Sequence, residues 1–250
     1  MKTVSGAETS VPPTRHDARI AGLLYLLAGL PGPFAYIYTP GHLFAAGNPL
    51  ATMQLTLAHA DLLRAAVVAE LVSAVLLILA ASALHRIFAG VDRWQAGLML
   101  LFASLPAAIV FANATNQLGA LAAAQAAVNT SGQSNGLDPM LTTVLMQMHA
   151  RGVTLANIFW GLWLVPLGLL VAASGFMPRW LGYLLVIGGC AYAVESLTII
   201  AGPNAAQAAS VAGSVLGGVA ELAMILWLLI WGVRQPAELV GGTAPAGSRS

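Results

Sequence analysis

The stretch Ser174-Gly175-Phe176-Met177-Pro178-Arg179-Trp180-Leu181-Gly182-Tyr183-Leu184-Leu185 sets the architecture, because one apolar run ends in it and another begins at once. The second run continues through Gly188-Gly189-Cys190-Ala191-Tyr192 to about Ile200, with Glu195 as its one charge. That is close to the ~20 residues an α-helix needs to cross a bilayer core. A tight turn that carries Arg179 and an interfacial Trp180 has the marks of a short cytoplasmic loop. The next connection should then lie on the far side.

Working outward, further apolar runs fall at about 20–38, 62–84, 94–118, 152–173 and 211–233. With 180–200 they predict an all-α fold, a six-helix transmembrane bundle. The domain spans 17–234, between Ser, Thr and Pro-rich residues 1–16 and Gly, Pro and Ala-rich residues 235–250, expected as disordered cytoplasmic tails. The run at 20–38 has a long charged lead-in and no clean small-x-small cleavage site, so it reads as a membrane helix rather than a signal peptide. Eight basic residues (Lys2, Arg15, Arg19, Arg86, Arg93, Arg179, Arg234, Arg249) fall on one side of these spans and two (Arg64, Arg151) on the other. The positive-inside rule puts both termini in the cytoplasm.

Composition agrees: 58% of residues are hydrophobic, 8% are charged, and the mean hydropathy is +0.82. Soluble domains are about a quarter charged. The formal charge of +1, with basic residues scattered singly, argues against a nucleic-acid partner. The lone Cys190 rules out an intrachain disulfide. Nine Arg against one Lys, in a chain rich in Ala and Gly, is the habit of a high-GC bacterium, which implies a cytoplasmic (inner) membrane.

The run 174–179, followed by Leu181-Gly182 and the segment from Gly188-Gly189 to Tyr192, resembles the signature of the domain of unknown function 4386 family. Ala18-Arg19-Ile20-Ala21-Gly22-Leu23-Leu24-Tyr25 is similar to that family's opening, and Ala220-Glu221-Leu222 to Leu226-Trp227-Leu228-Leu229 to its last helix. The resemblance covers roughly 17–234 and implies a polytopic, mostly bacterial membrane protein. It implies no reaction, and no catalytic residue is carried over.

Asn48-Pro49 and Asp138-Pro139 each read as an N-cap followed by Pro at the first helical position, and each leads after eleven residues into a His-Ala pair, His59-Ala60 and His149-Ala150. Arg19-Ile20-Ala21-Gly22, Arg93-Trp94-Gln95-Ala96-Gly97 and Arg179-Trp180-Leu181-Gly182 each open an odd-numbered helix. Three tandem helical hairpins of common design fit this pattern; shared composition accounts for it equally well. A helix unbroken from Asp138 to about Ala173 would be ~50 Å long and would project from a ~30 Å core. Asn129-Thr130-Ser131 is a formal glycosylation sequon, read as chance. Pro31-Gly32-Pro33 should break or kink the first helix, and Pro106 and Pro166 should kink theirs.

Charges within spans face protein or water rather than lipid tails. Here they are Glu70, Glu195 and Glu221, with Arg64 and Arg151 nearer the ends, and all fall in the outer half or near the middle. Asn113, Asn116, Gln117 and Asn157 join them, while the inner half offers hydroxyls such as Ser82 and Ser104. Ala209, Gly213, Gly217 and Glu221 recur at four-residue spacing, a small-residue stripe that admits a close neighbour, whereas Leu228 is expected to face lipid. Arg64 is expected to pair with Glu70. Three acids against two Arg leave one carboxylate over, and Glu221, farthest from either Arg, is expected to be the neutral one.

Arg64, Glu70, Asn113, Arg151, Asn157, Glu195 and Glu221 are therefore the candidate ligand-binding residues of an outward-facing polar site for a small solute or lipid head group. An alternative makes them buried pairs that fix helix order in a structural or regulatory subunit. A further alternative is an intramembrane enzyme using Glu70, Glu195 or His59. No nucleophile elbow, phosphate loop or dinucleotide fingerprint is present, no catalytic residue can be named, and nothing calls for a cofactor. His59, Asp61 and His149 form a weak metal alternative without a His-x-x-x-His pair.

Overall fold

The computed structural model describes residues 13–129 and 137–234, with the backbone alone described at 128–129, 137–138 and 203–212. All regular elements among them are helical: α1 (Arg15–Gly29), a π-helical segment (Pro33–Tyr38), α2 (Thr39–Leu43), α3 (Pro49–Ala58), α4 (Ala60–Phe88), α5 (Arg93–Asn129), α6 (Leu137–Leu162), α7 (Leu164–Ala173), α8 (Arg179–Ala201) and α9 (Pro203–Ile230). Six stretches are long and apolar enough to cross a membrane, namely Arg15–Leu43, Ala60–Phe88, Arg93–Ala127, Pro139–Ala173, Arg179–Ala201 and Gly213–Ile230. Each predicted run coincides with one of them. The sequon, the turn before α6 and the Asp138 side chain lie outside the described residues, as do most of the two tails. The first helix starts two residues before the expected boundary. Thr14 and Asp17 close a reciprocal capping box that holds Arg15 and His16 in it.

Successive stretches run antiparallel, so Arg15, Arg86, Arg93, Arg179 and Arg234 gather at one end, here the basic end. The turn that joins α7 to α8 lies there. Gly175 takes a positive φ of 72°, and the Phe176 carbonyl accepts from the Arg234 amide, tying the turn to the chain's last described residue.

The prolines act where expected. Pro31 and Pro33 bring no amide donor, and the chain widens into the π-helical segment rather than stopping, with the Thr39 hydroxyl donating to the Phe34 carbonyl at 2.9 Å. Pro166 leaves the Leu162 carbonyl without its usual partner four residues on, and the helix breaks at Trp163 between α6 and α7. Pro106 is carried inside α5. The helix that starts at Leu137 is thus broken once before Ala173.

The hairpin plan diverges at the far end. Asn48 Oδ1 accepts from the Ala51 amide at 3.0 Å with Pro49 at the first position, as expected. Helix α3 then stops before the exposed His59, whereas α6 runs straight through the buried His149. Helix α5, with 37 residues, is about 55 Å long and pairs with α6 well beyond the apolar run at 94–118.

Glycines set the closest helix contacts. A β-carbon on Gly161 would lie 2.5 Å from the Gly189 carbonyl oxygen, and one on Gly168 would lie 2.5 Å from that of Gly182. The two pairs share a seven-residue spacing and run in opposite directions, which fixes α6 and α7 antiparallel to α8. Gly188 turns the other way and meets Gly217 and Ala220 of α9. The described part of the expected stripe on α9 faces α8, with Gly213 under Glu195 and Gly217 under the Tyr192 ring, while the Ala209 side chain lies outside the described residues. Leu228 corrects its expectation: it is fully buried, with its β-carbon against Gly22 of α1.

Candidate functional site

Glu70 is fully enclosed on α4, and its partners come from α5 and α6. Gln117 Nε2 lies 3.0 Å from Glu70 Oε1 and 2.7 Å from His149 Nε2, and His149 Nε2 lies 3.5 Å from Glu70 Oε1. Asn113 Nδ2 donates to the His149 carbonyl at 2.9 Å and lies 3.1 Å from His149 Nδ1. Asn116 Nδ2 donates to Asn113 Oδ1 at 2.8 Å. Asn113, Asn116 and Gln117 are three and four residues apart and so share one face of α5. Gly152, three residues after His149, leaves the space that the Asn113 amide fills.

The geometry fixes the histidine's tautomer. A carbonyl oxygen only accepts, so the Asn113 atom facing it is nitrogen, and its second N–H is aimed at His149 Nδ1. Nδ1 must then accept, and a neutral ring carries its proton on Nε2. That proton points to Gln117 and Glu70. Gln117 Oε1 and Glu70 Oε2 are buried and have no partner.

This cluster stands behind a cleft of about 900 Å³ at the far end, bounded by the π-helical segment and α2 on one side and by α6 and the end of α8 on the other. Gln117 and His149 line it, Arg151 and Thr154 stand along α6, and Tyr36, Leu43, Leu63, Met146 and Ile199 supply apolar wall. The Tyr36 ring packs edge-on against Trp160 of α6 with centroids 5.6 Å apart. Arg151 is exposed and makes no ion pair among the described residues.

The other sequence candidates are dispersed. Arg64 pairs with Asp61 at 2.9 Å on the exposed surface, with Asp61 98% accessible, so the expected Arg64–Glu70 pair is not made. Six residues on a helix turn through about 240°, which puts the two side chains on different faces. Asn157 Nδ2 donates to the Ser196 hydroxyl at 3.1 Å, joining α6 to α8. Glu195 is buried and accepts from the Ser214 hydroxyl, 2.8 Å from Oε2, joining α8 to α9. Glu221 Oε1 accepts from the Tyr25 hydroxyl at 2.7 Å, and Oε2 lies 3.4 Å from the Tyr192 hydroxyl. His59 and Asp61 are exposed at the start of α4 while His149 is enclosed, and no group of three His, Cys, Asp or Glu among the described residues is placed to hold a metal. The roles of Tyr25 and Tyr192 do not show in the sequence, where a tyrosine in an apolar run signals little.

The family described as a domain of unknown function, DUF4386, matches residues 20–232. The chain belongs to the DUF4386 family. An uncharacterised protein of Archaeoglobus fulgidus is 33% identical over 106 residues, 40% of this chain and 61% of that protein, so the match spans less than two thirds of the relative's length. No solved structure matches. In this DUF4386 chain the three segments that carry the resemblance meet at one point: Tyr25 from α1, Tyr192 from α8 and Glu221 from α9 share a single carboxylate.

Proposed function

We propose that the chain is a multi-pass protein of the bacterial cytoplasmic membrane, with both termini in the cytoplasm, whose cleft faces outward and binds or moves a small solute or lipid. The observation that carries this reading is the cleft itself. Its volume lies in the range of small-molecule sites, and it combines apolar walls with a few convergent polar groups. The excess of basic residues at the opposite end supports the orientation. Glu70 sits behind Gln117 rather than in the cleft, which favours tuning a binding site over acid–base chemistry on a substrate.

Native mass spectrometry of the detergent-purified protein tests the reading. Wild type should retain a co-purified small molecule, and Val153→Trp, which fills the cleft from α6, should lose it. Identical ligand complements in the two would overturn the assignment.

A further inference from the structure

The cleft carries a cation without a counter-charge and continues an apolar outer face of the bundle, and the two together specify its occupant; this inference rests on the binding reading above. Arg151 lines the cleft, makes no ion pair among the described residues, and falls within Pro139–Ala173, a stretch long and apolar enough to cross a membrane. Charged groups in such stretches ordinarily pair with an opposite charge. No carboxylate is among the side chains that line the cleft. Asp138 starts the same helix thirteen residues earlier, about 20 Å along its axis and out of reach. The counter-charge is left for a ligand to supply. Gln147, one turn before Arg151 on the same face of α6, is exposed at the cleft and adds an amide donor.

The contacts of α6 with α8 give the depth of Arg151. Asn157 bonds to Ser196, and Arg151, six residues farther toward the far end, stands level with Gly202, which caps α8. Ile200 lies less than a turn below and lines the cleft. It shares its face of α8 with the exposed Val194 and Leu197, so the face that would meet lipid runs on into the cleft. On the opposite side, the π-helical segment and α2 pack on α3 and α4, whereas α8 packs on α6, α7 and α9. The cleft therefore opens sideways where a spanning helix ends.

We propose that the cleft takes from the membrane an amphiphile with one acyl chain and an oxyanion head, the head on the Arg151 guanidinium and the chain along the apolar wall of Leu43, Leu63 and Met146. A guanidinium presents paired N–H donors that match two oxygens of a carboxylate, phosphate or sulfonate, and such charge-assisted bonds are the strong ones. A cleft of about 900 Å³ suits one drug-sized ligand, hence a single chain. A small soluble anion would use Arg151 and leave the apolar wall wet. A cationic or uncharged amphiphile would use the wall and leave Arg151 without its counter-charge.

Equilibrium binding of radiolabelled dodecyl sulfonate to the full chain tests this, in a neutral sterol-based detergent that brings no acyl chain of its own. Unlabelled dodecyl sulfonate should displace the label roughly tenfold better than dodecyl trimethylammonium, and methyl sulfonate, a head without a chain, should not displace it. Arg151→Gln should bind dodecyl sulfonate roughly tenfold more weakly and lose the preference for the anion, while Arg151→Lys, which keeps the charge without the fork, should retain part of it. Displacement by palmitate or by lysophosphatidylglycerol names the source of the head, a free fatty acid or a lysolipid; displacement by neither overturns the inference. Equal displacement by the two dodecyl heads, a preference that persists in Arg151→Gln, or displacement by methyl sulfonate also overturns it and leaves the cleft reading standing. Absence of dodecyl sulfonate binding overturns it too, and the Val153→Trp comparison then decides the cleft reading separately. If Arg151→Gln does not fold, the wild-type order of displacement decides the matter by itself.

Discussion

Gly152 lies so close to Asn113 that a β-carbon on it would overlap the amide. Gly152→Ala should therefore push Asn113 off His149 and leave the buried His149 Nδ1 without its partner, while the His149 carbonyl keeps its helical bond. A lost partner of this kind costs on the order of 1–3 kcal/mol, so the melting temperature in detergent should drop clearly. If the effect runs through that amide, Gly152→Ala added to Asn113→Ala should cost little more than Asn113→Ala alone. Full additivity would show that Gly152 acts elsewhere.

Two glycines should respond in opposite directions to the same substitution. Gly168→Ala places a methyl group against the Gly182 carbonyl and the Val186 amide, backbone atoms that cannot swing aside, and overpacking of this kind costs about 1–3 kcal/mol. Gly218→Ala meets nothing within 4 Å and should stabilise α9 by roughly 0.5–1 kcal/mol through helix propensity. Thermal shifts of one sign for both variants would contradict the helix contacts.

The Glu221 carboxylate acts as an acceptor for two tyrosines. Glu221→Gln keeps an acceptor for Tyr25 and should be nearly silent in a melting experiment, whereas Glu221→Leu strands the Tyr25 and Tyr192 hydroxyls and should be strongly destabilising. Equal losses would mean that negative charge, not hydrogen bonding, holds α1, α8 and α9 together.

Arg64→Gln should leave stability within the scatter of thermal-shift measurements, because it breaks only the exposed pair with Asp61. A loss as large as that of Glu70→Leu would restore the pairing that sequence spacing suggests.

Hydropathy makes the six spans legible, since only helices satisfy their own backbone in lipid. The breaks at Pro31 to Pro33 and at Pro166 follow from missing donors. The length of α5 does not show, because residues 118–127 are rich in Ala and weakly apolar, and helix propensity rather than hydropathy extends the helix there. The candidate site is half legible. Asn113, Asn116 and Gln117 announce one polar face, and Gly152 three residues after His149 is a matching space, yet only the rotation of α6 against α5 shows that they meet. Arg64 and Glu70 mislead because nearness in sequence is not nearness in space. The seven-residue spacing shared by Gly161 and Gly168 with Gly182 and Gly189 is present in the sequence, but spacing alone does not say which helices it joins.

The proposed opening of the cleft on the side of the membrane away from the termini can be probed from outside the cell. Thr154→Cys, placed in the cleft, and Asp92→Cys, placed in the turn between α4 and α5, can each be made in a Cys190→Ala background and treated in intact cells with a membrane-impermeant maleimide. Position 154 should be labelled, and position 92 should stay unlabelled until the membrane is permeabilised. Labelling at 92 with protection at 154 would contradict both the orientation and the outward-facing cleft.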